Sequence, residues 1–152
     1  MPKASVKRLI ECKKKELIDL VLDIEKYPKF VPFCFDAKIH ENKNEGDLTK
    51  IIADLTIGKG VFKDTYKSDV VFNKRKDSIF VKNIDGPLNH LSNNWIFVDK
   101  KNGITEVTFD IDFEIKNKFL NSLMVVSFQF GLEKIADAFQ KRAEELFRNS
   151  KN

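Results

Sequence analysis

Residues 105–115 alternate strictly between apolar and polar side chains, and this stretch constrains the fold more than any other part of the sequence. One series reads Thr105, Val107, Phe109, Ile111, Phe113 and Ile115, and the other reads Glu106, Thr108, Asp110, Asp112 and Glu114. A period of two predicts a β-strand with one buried and one solvated face, as is typical of antiparallel sheets. We therefore interpret the carboxylates as sheet surface rather than as a metal or acid–base cluster.

Shorter stretches of similar character come before this strand. We predict a first strand over 4–12, a helix over 16–24, a very short second helix over 27–30 that ends by Pro32, and strands near 33–40, 51–57, 62–72, 79–84 and 95–97. In the strand at 33–40, Phe33, Phe35, Ala37 and Ile39 share the apolar side. Polar or glycine-bearing turns are expected at 42–47, 73–77, 85–87 and 100–103.

A long helix is predicted over 118–147, because this segment has no proline and its apolar residues recur at helical spacing. The apolar stripe contains Leu120, Leu123, Met124, Ser127, Phe128, Gly131, Ile135, Ala138, Phe139 and Leu146. Asn121, Ser122 and Gln129 interrupt the first half, so the segment falls short of a transmembrane span. We expect the helix to lie across the sheet; the alternative is that its first half also touches a lipid surface or a partner.

Composition narrows the class of protein. A chain of 152 residues fits one domain, 1–152. Cys12, Cys34, His40 and His90 are too few for a Cys/His metal cluster, so we expect no metal, and the start carries no apolar targeting segment, so we expect a cytoplasmic protein. The net charge is +4, but 23 of the 27 basic residues are lysines spread along the chain. This favours a solvated surface, with weak attraction to RNA or anionic lipid as the alternative, and we expect no DNA partner.

No catalytic arrangement stands out. His40 and His90 have no carboxylate or cysteine partner nearby in sequence, and Gly58-Lys59-Gly60 is too short for a phosphate loop. Asp64 and Ser68 share the side of the strand that carries Tyr66. They form either a buried polar pair or a bulge that reverses the alternation, and the sequence leaves this open. We therefore expect a protein that is not an enzyme.

Aromatic residues dominate one side of the predicted sheet. This wall consists of Phe62, Tyr66, Trp95, Phe97, Phe109 and Phe113, and the helix places Leu123, Ser127, Gly131 and Ile135 over it. A curved sheet closed by a helix encloses a volume that side chains or a ligand must fill. Small residues opposite large rings allow either close packing in an ordinary core or a slot for a lipid.

Three motifs resemble a known family. Residues 23–34 read DIEKYPKFVPFC, residues 84–91 read IDGPLNHL and are followed by Trp95-Ile96-Phe97, and the chain closes with FDIDFE at 109–114 and AFQKRA at 138–143. In this order and spacing they are similar to the coenzyme Q-binding and ribosome-association toxin (RatA) family of the START-like, polyketide cyclase/dehydratase superfamily. Leu88, Asn93 and Asp69 depart from the family pattern, and Asp69 puts an anion contact at that position in doubt.

The resemblance implies an α+β helix-grip fold: a seven-stranded curved antiparallel sheet wrapped around the C-terminal helix, with two short helices after the first strand. It also implies a hydrophobic tunnel that binds ubiquinone or a related isoprenoid lipid without catalysis, in support of respiration. No cofactor beyond that lipid is expected. The ligand-binding residues are then Tyr27, Phe30, Pro32, Phe33, Leu55, Phe62, Tyr66, Trp95, Phe97, Phe109, Phe113, Leu123, Ser127 and Gly131.

Two other functions remain open. The family's toxin members imply a ribosome-associated translation regulator, one of a toxin–antitoxin pair, that binds the large ribosomal subunit. The first function, a quinone carrier, also implies peripheral contact with the inner membrane. An aromatic-polyketide cyclase ranks last, because only Asp64, Tyr66 and Ser68 are candidates for acid–base work.

Overall fold

The fold consists of seven antiparallel strands and a long C-terminal helix. The computed structural model describes residues 3–59 and 61–147, without the side chains of Lys59, Phe62, Leu120 and residues 123–127. Its strands are β1 (Lys3–Ile10), β2 (Cys34–Glu45), β3 (Leu48–Lys59), β4 (Phe62–Asn73), β5 (Ser78–Asp85), β6 (Leu88–Asp99) and β7 (Thr105–Ile115). Its helices are α1 (Lys14–Leu22), α2 (Lys118–Phe147) and 3₁₀ segments at Ile24–Lys29 and Lys101–Gly103. The predicted α+β helix-grip architecture is confirmed.

The strand order is β1-β7-β6-β5-β4-β3-β2, and every neighbouring pair is antiparallel. Strands β2 to β7 form a meander, and β1 adds to its far edge. Trp95 lies opposite Phe109, and Phe109 lies opposite Val6. This register places the apolar series of each strand on the face that α2 covers.

Two short helices follow β1, as predicted. α1 begins at Lys14, earlier than expected, and the backbone N–H of Lys13 donates to Glu16 Oε1 at 3.0 Å, which caps its first turn. The apolar residues on one side of these two helices are buried: Leu17, Ile18, Leu20, Val21 and Ile24.

The predicted alternation at the start of β2 is wrong. A register shift separates Cys34 from Asp36, so Cys34 is buried while Phe35 is 46% exposed, with Lys63 Nζ 3.9 Å from its ring centroid. The predicted turn at 42–47 is also shorter, because the strand continues to Glu45. β2 is an edge strand, and an edge strand tolerates a bulge and polar residues on both faces.

The bounds predicted for α2 are those observed. Within the part of this helix whose side chains are described, the buried line is Leu132, Phe139 and Ala143. The predicted stripe omitted Leu132, which is 2% exposed, and included Leu146, which is 45% exposed. Among the described residues, no helix has the length and apolar character needed to cross a bilayer.

Candidate functional site

An aromatic cluster fills the space between α2 and the middle of the sheet. It consists of Tyr27, Phe30, Trp95, Phe109 and Phe139. The Trp95 ring centroid lies 4.2 Å from that of Phe109 and 5.2 Å from that of Phe139. Tyr27 and Phe30 meet Phe139 edge-on, at 5.4 and 5.1 Å. Trp95 is 8% exposed, so this part of the interior is closed by ring-to-ring packing.

The segment before β2 links the aromatic cluster to the end of β3. The hydroxyl of Tyr27 donates to the backbone oxygen of Val21, and burial raises the pKa of this phenol. Phe33 adopts a left-handed backbone with φ of 70°, and its carbonyl accepts from the N–H of Gly58 at 3.0 Å. A Cβ placed on Gly131 of α2 would lie 3.9 Å from the Phe33 ring. The structure therefore brings the predicted residues Phe33 and Gly131 together.

The turn between β5 and β6 packs directly on Tyr66. Gly86 has φ of 132°, and a Cβ built there would lie 2.8 Å from Tyr66 Cβ and 2.9 Å from Tyr66 Cα. A side chain at this position would therefore collide with β4. Only glycine combines this backbone angle with such a close approach.

Beside this turn, the side chain of Asn83 forms hydrogen bonds between β5 and β6 where the backbone pairing of the two strands has ended. The strand pairing ends at Lys82 and Ser92. Beyond it, Asn83 Oδ1 accepts from the N–H of Leu91 at 2.8 Å, and Asn83 Nδ2 donates to the carbonyl of Leu88 at 3.3 Å. Asn83 is not among the predicted site residues, although it has the same inner-face parity as Ile79 and Val81, which is the signal that could have identified it.

We call Phe33, Tyr66, Gly86, Phe113 and Gly131 the rim, because they lie toward the end of the sheet that carries the β5–β6 turn, with Gly131 of α2 beside Phe33. Phe113 is buried, and its ring centroid lies 4.4 Å from that of Phe128 on α2. Phe128 was predicted only as part of the helix stripe. The rim therefore has two glycines and one ring pair, whereas the five rings of the aromatic cluster are joined to one another through Trp95 and Phe139.

Polar groups on the inner face differ in their hydrogen bonding. Ser68 is fully buried and donates to the carbonyl of Ala53 at 3.2 Å, and Asn93 Oδ1 accepts from the Trp95 indole at 3.1 Å. Tyr66 is 9% exposed, and no hydrogen bond joins its hydroxyl to another residue that the structure describes. Burial raises the pKa of the Tyr66 phenol, which keeps it protonated and able to donate.

The pair left open by the sequence is resolved by exposure: Ser68 points inward, whereas Asp64 is exposed at the end of β4. The histidines lie on the outer face and do have carboxylate partners, supplied by neighbouring strands rather than by nearby sequence. His40 Nε2 is 2.7 Å from Asp54, and His90 Nε2 is 3.6 Å from Asp112. Within the described ranges, no group of three or more His, Cys, Asp or Glu side chains could hold a metal ion.

The predicted site residues fall into three groups. Six are buried on the inner face: Leu55, Tyr66, Trp95, Phe97, Phe109 and Phe113. Five are half-buried near the rim or the aromatic cluster: Tyr27, Phe30, Pro32, Phe33 and Gly131. The side chains of three lie outside the described residues: Phe62, Leu123 and Ser127.

An open cavity of about 390 Å³ lies elsewhere, lined by Lys3, Ala4, Ser5, Ser92 and residues 110–112 of β1, β6 and β7. It contains none of the predicted site residues. Its lining includes Asp110 and Asp112, so it suits solvent rather than an apolar ligand.

Comparison with known proteins assigns the family. A family model described as polyketide cyclase/dehydrase and lipid transport matches residues 12–140. The ribosome association toxin RatA of Rickettsia prowazekii is 32% identical over 144 residues, which cover 93% of this chain and 95% of that protein. The mitochondrial coenzyme Q-binding protein of Dictyostelium discoideum is 30% identical over 139 residues, which cover 89% of this chain and 65% of that protein.

Solved structures share the fold. A START superfamily protein from Mycobacterium smegmatis has a TM-score of 0.80 at 19% identity, covering 95% of this chain and 98% of its own. The Zhui aromatase/cyclase from Streptomyces has a TM-score of 0.77 at 12% identity, covering 93% of each chain. The motifs, the sheet order and the family match agree, and the chain belongs to the polyketide cyclase/dehydrase and lipid transport family.

Proposed function

We propose that this protein binds an isoprenoid quinone, or a closely related isoprenoid lipid, between the rim and α2. The observation that carries the proposal is the Tyr66 hydroxyl. It is a protonated donor on a side chain that is only 9% exposed, and it makes no hydrogen bond to the rest of the described chain. Quinone head groups carry carbonyl acceptors, so one hydrogen bond from Tyr66 would orient the head while apolar burial supplies most of the affinity.

The same arrangement supports our proposal of binding without catalysis. Ser68, Asn83 and Asn93 are engaged in hydrogen bonds within the protein, and both histidines face away from the interior. A cyclase needs a group that gains or loses a proton near neutral pH inside the cavity. Tyr66 does not meet this need, because burial raises its pKa further from neutrality. A quinone-binding role would place the protein at the inner-membrane surface, where it would support respiration.

The two tyrosines of the chain provide a matched test. Trp95 is the single tryptophan, and its fluorescence reports the approach of added ubiquinone. Tyr66→Phe should weaken ubiquinone binding by about two- to tenfold, the value of one net hydrogen bond. Tyr27→Phe is the control, since its hydroxyl donates to the backbone of Val21. It should lower stability but leave ubiquinone affinity unchanged. Equal affinity of Tyr66→Phe and the wild type would refute the role of Tyr66.

Ribosome association is the second candidate. It rests on the Rickettsia relative, which matches almost the full length of this chain and is named a ribosome association toxin. Such a role predicts cosedimentation with the large ribosomal subunit that weakens as salt is raised. Cosedimentation with no dependence on salt, or none at all, would remove this candidate.

A further inference from the structure

Three segments of the chain lie together at the end of the sheet opposite the rim, where the β4–β5 and β6–β7 turns are. We call them the basic end. They are residues 13–15 at the start of α1, residues 74–77 between β4 and β5, and residues 99–103 between β6 and β7. Lys14 joins them, because its Nζ lies 2.9 Å from Asp77 Oδ2 and 3.1 Å from Asp99 Oδ2. Hydrogen bonds to these carboxylates raise the pKa of Lys14, which therefore stays charged.

The basic end concentrates the positive charge of the protein. Its three segments contain eight lysines and arginines and two carboxylates, a formal charge of +6, whereas the whole chain has a net charge of +4. The remainder of the molecule is therefore net negative. The even spread of lysines along the sequence conceals this asymmetry, which arises because the fold gathers two turns and a helix start at one place.

Several of these cations are available to a partner. Lys13, Lys74, Lys76 and Lys101 are exposed and form no ion pair with any residue that the structure describes. Arg75 is 3.9 Å from Asp47, and Lys100 is 3.8 Å from Glu106. Such long, exposed pairs contribute little, so a polyanion can displace them.

The composition of the basic end selects the class of polyanion. Its three segments contain no apolar and no aromatic side chain. Binding at an anionic membrane surface normally adds apolar anchors, and binding of single-stranded nucleic acid adds aromatic stacking platforms. Cations alone suit the phosphate backbone of a double helix, which is recognised by charge and shape.

We propose that the basic end binds double-helical RNA through its phosphate backbone, without reading the base sequence. The proposal does not rest on lipid binding, and it gives ribosome association a specific surface. Along β4 (Phe62–Asn73), Tyr66 lies seven residues before the end of the strand, so about 23 Å separates Tyr66 at the rim from the basic end. RNA and lipid would therefore occupy the protein at the same time.

The test measures binding of a fluorescently labelled 20-base-pair RNA duplex by anisotropy across a range of salt concentrations. The triple variant Lys74→Gln, Lys76→Gln, Lys101→Gln should bind at least about tenfold more weakly, and the slope of log affinity against log salt should fall by about 3. The control variant Lys26→Gln, Lys38→Gln, Lys141→Gln removes the same charge from exposed sites elsewhere and should bind nearly as the wild type does. Equal weakening in both variants, or no duplex binding by the wild type, would overturn the proposal.

Two further arms separate the alternatives. Vesicles of phosphatidylglycerol and phosphatidylcholine should bind the wild type and the basic-end variant alike; vesicle binding that depends on the basic end, with duplex binding unchanged, would overturn the proposal in favour of a membrane surface. A single-stranded RNA of the same length should not bind more tightly than the duplex, and tighter binding would contradict recognition of a double helix. Ubiquinone uptake by the basic-end variant should be unchanged, so failure of the lipid proposal would be seen independently.

Discussion

The aromatic cluster and the rim both include residues of the same inner face of one sheet, yet they differ in the ring contacts and hydrogen bonds that their side chains make. In the aromatic cluster, Trp95 contacts other rings and its indole donates to Asn93. At the rim, the Tyr66 hydroxyl has no hydrogen-bond partner in the described chain, Gly131 lies beside the Phe33 ring, and Gly86 lies against the backbone and Cβ of Tyr66. In our proposal, the cluster stabilises the fold and the rim binds the ligand.

The largest expected effect comes from removing the centre of the aromatic cluster. Trp95→Ala should lower the free energy of unfolding by about 3–5 kcal/mol, because the ring is buried against Phe109 and Phe139. Urea denaturation measures this loss. A loss below about 1 kcal/mol would mean that Trp95 lines a hollow space, and the division between cluster and rim would then fail.

Among substitutions at the rim, we expect Gly86→Ala to cause the largest loss of stability. Gly86→Ala forces a Cβ to within 2.8 Å of Tyr66 Cβ at φ of 132°, and backbone strain alone costs about 1–3 kcal/mol. Gly46→Ala is the matched control, since Gly46 has φ of 61° and no atom within 4 Å of the added Cβ. We expect the larger loss of stability at Gly86, together with weaker ubiquinone binding because Tyr66 is displaced. Equal losses at the two glycines would show that the contact with Tyr66 is not tight.

Tyr66→Phe sharpens the comparison further, since it removes one oxygen from the rim. The free energy of unfolding should change by less than about 1 kcal/mol, because no hydrogen bond within the described chain is lost. Thermal or urea denaturation checks this value. A loss of about 2 kcal/mol or more would indicate that the hydroxyl is already bound within the protein and is not free to orient a ligand.

A pH dependence is also expected at Cys34, which lies between the two regions. Burial raises the pKa of this thiol from 9.0 to about 11. The unfolded chain therefore loses the proton as the pH passes 9, while the folded protein keeps it until the pH approaches 11. Stability from this group is complete below pH 9 and falls between pH 9 and 11. Cys34→Ala should flatten the decline of unfolding free energy across this window; an unchanged slope would contradict the burial of the thiol.

Much of the fold was predictable from local patterns. The strict alternation at 105–115 and the proline-free segment at 118–147 match β7 and α2 residue for residue, because both patterns are long and each period fits one structure. The start of β2 was not predictable. The bulge that buries Cys34 and exposes Phe35 depends on pairing with residues of β3 that lie 20 to 23 positions further along the chain.

The candidate site was predictable in its residue types but not in its organisation. Trp95 and Tyr66 have the same inner-face pattern in sequence, and only the packing of Phe139 from α2 shows that one is enclosed by rings. The contact between Gly86 and Tyr66 likewise joins two strands. Asn83 and Leu132 were missed because a polar residue on an inner face and a leucine beside the main stripe carry weak signals on their own.

The most direct measurement is an organic extraction of the purified wild-type protein, followed by mass spectrometry for isoprenoid quinones. We expect a stoichiometric isoprenoid quinone in the wild type and a reduced amount in Tyr66→Phe, with Tyr27→Phe retaining the wild-type amount per folded protein. An extract without quinone, together with no uptake of added ubiquinone, would contradict lipid binding at the rim. The inner face would then be a plain core, and the basic end would be the functional surface to pursue.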